Sequence, residues 1–220
     1  TSWLMRRSAR TADLVVTVSQ AAGSSIAAQL GVPAERIRVV HNGSAPPHPV
    51  SDPWPHLRPL GIEPGRRVLL SAGNRLPHKN FDGLLAALTS LPARERPLTV
   101  IPGGGEEDPL ASLVARCELG EDVVLPGWVS AEQLEALYSV ATLYVCPSLA
   151  EGFGLPVLDA LRRGVRVVAN DIPVLREVGA ECVTYADASN PTAFAAAIAD
   201  SLRSPIDPGE LEAAPSWAET

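Results

Sequence analysis

Residues 142–169 read TLYVCPSLAEGFGLPVLDALRRGVRVVA. The stretch opens on an apolar run, Thr142 to Cys146, of strand length and rich in β-branched and aromatic residues. It closes on a second such run, Val165 to Ala169. Between them Pro156 stands where a first helical turn tolerates proline, and Gly164 stands just past the helix end. Two strands joined through one helix form a parallel crossover unit. Neither run alternates polar with apolar, so helices are expected over both faces of the sheet.

The unit repeats outward from there. Upstream, the strand Val68 to Ser71 precedes Phe81, Leu84, Leu85 and Leu88 at helical spacing. The strand Leu98 to Ile101 runs into Gly103-Gly104-Gly105 and a helix around Leu110 to Cys117. Val123 to Leu125 is a strand, and Ser130-Ala131-Glu132-Gln133 is a capping box. Downstream, Pro173 opens a short helix and Cys182 to Tyr185 is a strand. Asn190-Pro191 then caps a helix with Phe194, Ile198 and Leu202 on one face. The reading is an α/β fold, a doubly wound parallel sheet of Rossmann-like type, between about Leu60 and Ser204. Ahead of it lie a strand at Leu14 to Val18, a helix from Ser19 to Leu30 and a strand at Ile37 to Val40, the fringe of a second domain. Six prolines fall in the fifteen residues from Ala45 to Pro59, which read as a linker or surface loop. The expected division is 1–43, 44–59, 60–204 and 205–220.

Composition bounds the function. The 220 residues are 46% hydrophobic, enough for a sizeable core, and no apolar run approaches the ~20 residues that span a bilayer. Thr1 to Arg10 holds three arginines with no apolar run behind them, so no signal peptide is read and a cytoplasmic location is expected. A net charge of −7 argues against nucleic-acid binding. Cys117, Cys146 and Cys182 form no CxxC pair and read as reduced core residues. The four histidines have no metal-ligand spacing. Abundant Ala, Arg and Pro fit a GC-rich bacterial genome. The chain carries seventeen arginines and one lysine, Lys79, whose position therefore draws notice.

Ligands of such sheets bind at the carboxyl ends of the strands, where four constellations lie. Gly73-Asn74-Arg75-Leu76-Pro77-His78-Lys79 puts two cations and a close-approach glycine before a helix start, a setting for a diphosphate or else a solvated loop. Gly103 and Gly104 are either a ligand approach or a flexible turn. They match neither a dinucleotide fingerprint nor a P-loop. Ser148, Glu151, Gly152, Phe153, Gly154, Leu155 and Asp159 combine a phosphate cradle with two carboxylates suited to sugar hydroxyls. For Glu151 the plain alternative is a surface acid, and for Phe153 core packing. Trp128 and Val129 either face a flat base or, for Trp128, anchor the core.

Taken together these residues resemble the C-terminal domain of family 4 retaining glycosyltransferases, which have the two-domain GT-B fold. The resemblance covers nearly the whole chain. "ADLVVTVS" (12–19) resembles the last strand of that family's acceptor domain, and "IRVVHNG" (37–43) its interdomain connection. "GNRLPHKN" (73–80) resembles the phosphate loop, which implies that Arg75 and Lys79 bind the donor diphosphate. "LPGWVS" (125–130) resembles the stretch that meets the base. "PSLAEGFGLPVLDA" (147–160) resembles the signature of two acids with seven residues between them, which implies a sugar contact for Glu151 and a ribose contact for Asp159. The second acid is Asp where the family has Glu. "APSWAET" (214–220) resembles the start of a C-terminal crossover helix.

The resemblance implies transfer of a hexose from a nucleotide sugar, such as GDP-mannose or UDP-glucose, to a hydroxyl with retention of configuration. It implies polysaccharide or glycolipid assembly, no cofactor and no metal. The partners implied are an N-terminal acceptor domain beyond this chain, an acceptor sugar or lipid-linked glycan, and peripheral contact with the inner face of the membrane. No substrate pocket is read in residues 1–43, so the chain alone is expected to bind donor without transferring sugar. The alternative is a non-catalytic nucleotide-sugar sensor or scaffold.

Overall fold

The computed structural model describes residues 2–105 and 107–204. The expected crossover helix at 205–220 lies outside the described residues. The chain begins with helix α1 (Ser2–Thr11), strand β1 (Val15–Thr17), helix α2 (Gln20–Leu30) and strand β2 (Ile37–Val39). β1 and β2 pair in parallel, Val15 opposite Ile37. Ser19 caps α2 by accepting the Ala22 N–H, and Gly31 ends it in the left-handed conformation.

Helix α3 (Trp54–Leu57) leads into the main domain. There β3 (Val68–Leu70), α4 (Phe81–Thr89), β4 (Leu98–Val100), α5 (Leu110–Arg116), β5 (Val123–Val124) and α6 (Ala131–Val140) follow in turn. The second half is β6 (Ala141–Cys146), α7 (Leu155–Arg162), β7 (Val167–Asn170), α8 (Pro173–Gly179), β8 (Val183–Ala186) and α9 (Pro191–Arg203). The six strands form one parallel sheet in the order β5-β4-β3-β6-β7-β8. The doubly wound reading holds.

Successive strand residues feed opposite layers, as the two-residue repeat of a strand requires. Val68 and Leu70 enter one core with Tyr138, Leu158, Leu161 and Leu175. Leu69, Leu143 and Val145 enter the other with Phe81, Leu84 and Phe194. Every one of these side chains is buried, so these strands carry apolar residues toward both layers.

The proline-rich stretch departs from its reading as a linker or loop at its end. Pro53 precedes α3 and Pro55 lies in its first turn, where the missing N–H costs nothing. Leu57 is wholly buried in the first core, beside Ile62. Among the described residues, no helix is long and apolar enough to cross a membrane.

The strand order places the site. The chain winds outward from β3 to β5, then returns to lay β6 on the other side of β3. The sheet's switch point is therefore the crevice beyond the carboxyl ends of β3 and β6. The loops that follow those two strands carry Lys79 and Glu151.

Candidate functional site

At the switch point the ammonium of Lys79 bonds the Glu151 carboxylate at 2.6 Å, and the two side chains are 15% and 11% exposed. The Leu149 N–H donates to the His78 carbonyl at 2.7 Å, tying the two loops together beside the pair. Gly154 caps the start of α7 with φ 100°, a backbone that favours glycine, and a Cβ there would lie 2.8 Å from Leu175 Cδ2, which would have to shift. Gly152 and Leu155 are exposed on either side of the buried Phe153 and Gly154. Phe153 packs its ring against His41 at 5.9 Å. Ser148 is also buried, accepting a bond from the Cys146 thiol. The Phe153 ring thus belongs to the first core, its plain alternative, and the Ser148 hydroxyl lies against Cys146.

Arg75 is held differently from Lys79. Its side chain is 8% exposed and forks onto Asp108, itself 7% exposed, at 2.7 Å. It also donates to the carbonyls of Ile101, Pro102 and Gly73 and lies over the Phe81 ring at 5.0 Å. Burial alone would raise the Asp108 pKa, but the bonds from Arg75 and from the Leu110 amide outweigh it and hold the carboxyl below its ordinary value. Every stretch of the guanidinium fork is thus engaged within the protein.

The glycine run has a structural reason. A Cβ on Gly103, whose φ is 102°, would sit 2.4 Å from the Gly73 carbonyl oxygen. One on Gly104 would sit 2.0 Å from Asp108 Oδ2. The Gly103 N–H donates to the Gly127 carbonyl, and the Gly73 N–H to that of Pro102. Three loops are therefore stacked through their glycine backbones. Gly103→Ala is expected to lower stability by about 1–2 kcal/mol for the left-handed backbone alone, more once the contact is added. Chemical denaturation measures it, and an unchanged midpoint would rule out the stacking as the reason for glycine.

Beyond those glycines, Trp128 is 78% exposed, which removes the reading of a core anchor. It borders a concavity of about 400 Å³ with Gly104, Gly105, Leu125 and Pro126, and Val129 beside it is half-buried. Asn74 is exposed, its side chain accepting the Leu76 N–H. Asp159, half-buried on α7, accepts a short bond from the Ser44 hydroxyl, while Arg162 grips the Ser44 carbonyl.

The sequence reading missed how residues 19–41 meet this site. Ser19 donates to the Gly152 carbonyl at 2.8 Å. The Glu177 carboxylate accepts the N–H groups of Gln20 and Ala21 and bonds His41 at 2.9 Å. The cap at Ser19 was readable, but its second bond, 133 residues away, was not. α2 also lines a cleft of about 540 Å³ with Glu151, Leu149 and Pro173, so residues 1–43 do border a cavity. Among the described residues, no group of His, Cys, Asp and Glu is placed to hold a metal ion.

Residues 54–216 match the family profile described as glycosyl transferases group 1, and residues 1–44 match that of glycosyltransferase family 4. The chain belongs to the group 1 glycosyl transferases. This group 1 chain is 33% identical over 207 residues to O-antigen chain mannosyltransferase B of Escherichia coli, covering 90% of this chain and 54% of that protein. It is 30% identical over 207 residues to MMP alpha-(1->4)-mannosyltransferase of Mycolicibacterium hassiacum, covering 91% and 48%. The chain thus spans about half the length of these relatives. The structure of Anabaena HepE with UDP and glucose superposes with a TM-score of 0.79 at 22% identity, covering 99% of this chain and 59% of that one. Sucrose-phosphate synthase of Thermosynechococcus elongatus superposes at 0.78 and 22%, covering 99% and 54%. These two likenesses are of fold.

Proposed function

We propose that this chain is the donor-binding part of a retaining, metal-independent glycosyltransferase. The whole enzyme moves a hexose from a nucleoside diphosphate sugar to a hydroxyl acceptor in polysaccharide or glycolipid assembly. The observation that carries the reading is the Lys79–Glu151 pair at the switch point of the sheet. One side of the pair suits an anion and the other suits sugar hydroxyls, and the family's chemistry needs both within one ligand's length.

In this reading Lys79 faces the diphosphate and offsets the charge that grows on it as the glycosidic bond breaks. Glu151 accepts hydroxyl hydrogens of the sugar. The start of α7 presents its positive dipole end to the phosphates. Asp159 holds the ribose, and Trp128 with Val129 meets the base. Arg75 supports the loop from behind. The mannosyltransferase names of the two relatives favour mannose, hence GDP-mannose, with UDP-glucose as the other donor to try. The acceptor is held by an N-terminal domain longer than residues 1–43, acting in the cytoplasm at the inner face of the membrane.

Calorimetry of this chain with nucleoside diphosphates and their sugars tests the reading, with and without EDTA. Binding of at least one nucleoside diphosphate, unchanged by EDTA, is expected, together with no transfer to acceptors by the chain alone. Lack of binding to any of them would overturn the proposal. A strict need for a divalent cation would overturn the metal-free part, and turnover by the full-length parent excludes a mere sensor.

A further inference from the structure

Asn80 follows Lys79 and precedes the first residue of α4, an N-cap position. Asparagine there normally turns its side chain onto the helix's free N–H groups, but Asn80 makes no such cap. Its backbone is left-handed, φ 53°, a conformation that asparagine tolerates better than most residues with a side chain. The favourable cap is thus given up at this residue. The side-chain amide instead donates to the Pro147 carbonyl at 3.1 Å and to the Ala188 carbonyl at 3.1 Å. Pro147 opens the loop that carries Glu151.

A second residue makes room for this. Gly83 lies within α4, where glycine is unfavourable. A Cβ on Gly83 would lie 2.6 Å from both Asn80 Nδ2 and Asn80 Oδ1. The amide could retreat only by breaking its two bonds. Asn170 works from the opposite side. Its Nδ2 donates to the Ser148 carbonyl at 3.0 Å, and its Oδ1 accepts the Ala188 N–H at 2.9 Å. The opening of the Glu151 loop is therefore held by two amides that share Ala188, and one of them adjoins Lys79.

We infer that Asn80 is the positioning residue that registers Lys79 against Glu151, with Gly83 kept small so that its amide can reach across. Asn80 touches neither the carboxylate nor the ammonium. It joins the backbones that carry them, so that both charged groups start from one anchored point. As far as ligand affinity is concerned, the inference rests on the proposed function. The registration itself does not.

The test uses three variants of this chain: Asn80→Gly, Gly83→Ala and the pair together. Asn80→Gly keeps the left-handed backbone and removes only the amide, so folding should survive, and a thermal melt checks that. Lys79 is the sole lysine, so protein made with labelled lysine gives one Cε/Nζ signal, read without ligand. That signal is expected to move in Asn80→Gly and in Gly83→Ala toward its position in Glu151→Gln, where the ion pair is gone. The dissociation constant for a nucleoside diphosphate should rise about threefold to tenfold, the size of one or two lost neutral hydrogen bonds, while nucleoside binding holds. In the double variant Gly83→Ala should add nothing, because the amide it displaces is already absent. A lysine signal that stays put in folded Asn80→Gly, or effects of the two changes that simply add, would overturn the inference. A signal that moves as expected with no change in diphosphate affinity would uphold the registration and sink the phosphate role of Lys79 instead.

Discussion

Lys79→Ala is expected to weaken binding of a nucleoside diphosphate by about tenfold to a hundredfold and to leave the bare nucleoside nearly unaffected. A hydrogen bond to a charged partner contributes about 1.5–3 kcal/mol, which converts to that range. Two features of the site push the effect toward its upper end. The lysine is only 15% exposed, so solvent screens it little. Its removal also leaves the Glu151 carboxylate, 11% exposed, without its counter-charge and facing the phosphates. Glu151→Gln should therefore act in the other direction on the diphosphate, sparing or tightening it, while weakening discrimination in favour of the diphosphate sugar. Lys79→Arg should rescue only in part, because a planar guanidinium cannot take the place of a compact ammonium in a half-closed crevice. Isothermal titration with diphosphate, diphosphate sugar and nucleoside reads all of this. Equal diphosphate affinity in wild type and Lys79→Ala would take the loop after β3 out of the donor site.

The fold was legible because its strands are buried on both faces, and continuous apolar runs between helical stretches arise in few other architectures. What sequence does not contain is strand order. Lys79 and Glu151 are 72 residues apart, and their meeting follows from β6 returning beside β3 instead of extending the sheet past β5. The proline count between Ala45 and Pro59 speaks of backbone stiffness and nothing else. It concealed Leu57, whose burial depends on a surface assembled from α6 and the sheet. Within the loop after β3, Arg75 and Lys79 look alike as charges. What sets them apart is Asp108, 33 residues on, which takes the Arg75 guanidinium while Glu151 takes the Lys79 ammonium. Ser44 against Asp159 and Glu177 against α2 belong to the same class of long-range polar contact. Asn80 is different, since an asparagine directly before a helix with a glycine in its first turn was open to notice as a pair.

Breaking the Arg75–Asp108 pair is expected to destabilise the chain by about 3–5 kcal/mol, the usual cost of leaving one member of a buried ion pair uncompensated. At about 2–4 °C per kcal/mol for a chain of this size, Asp108→Ala or Arg75→Ala should lower the melting temperature by roughly 10 °C. The pair stands behind three stacked glycine loops, so the loss also loosens the Gly103–Gly73 contact. Replacing both residues by apolar ones should recover part of the stability, because no lone charge is left. Recovery stays incomplete, since the carbonyls of Ile101, Pro102 and Gly73 lose their donor. The pH dependence has a definite sign. The Asp108 carboxyl is held below its ordinary value in the folded chain. Its contribution is thus fully present above the unfolded value of about 4, and is lost as the pH falls from there through the folded value. Wild type should lose stability over that acid window more steeply than Asp108→Asn, which has no carboxyl to protonate. The same variants separate support from ligand contact. If Arg75 supports the loop, Arg75→Ala lowers the melting temperature while the folded fraction keeps more diphosphate affinity than Lys79→Ala does. A normal melting temperature with diphosphate affinity lost as completely as in Lys79→Ala would instead put the guanidinium on the phosphates, and the buried fork onto Asp108 would not be the state that binds.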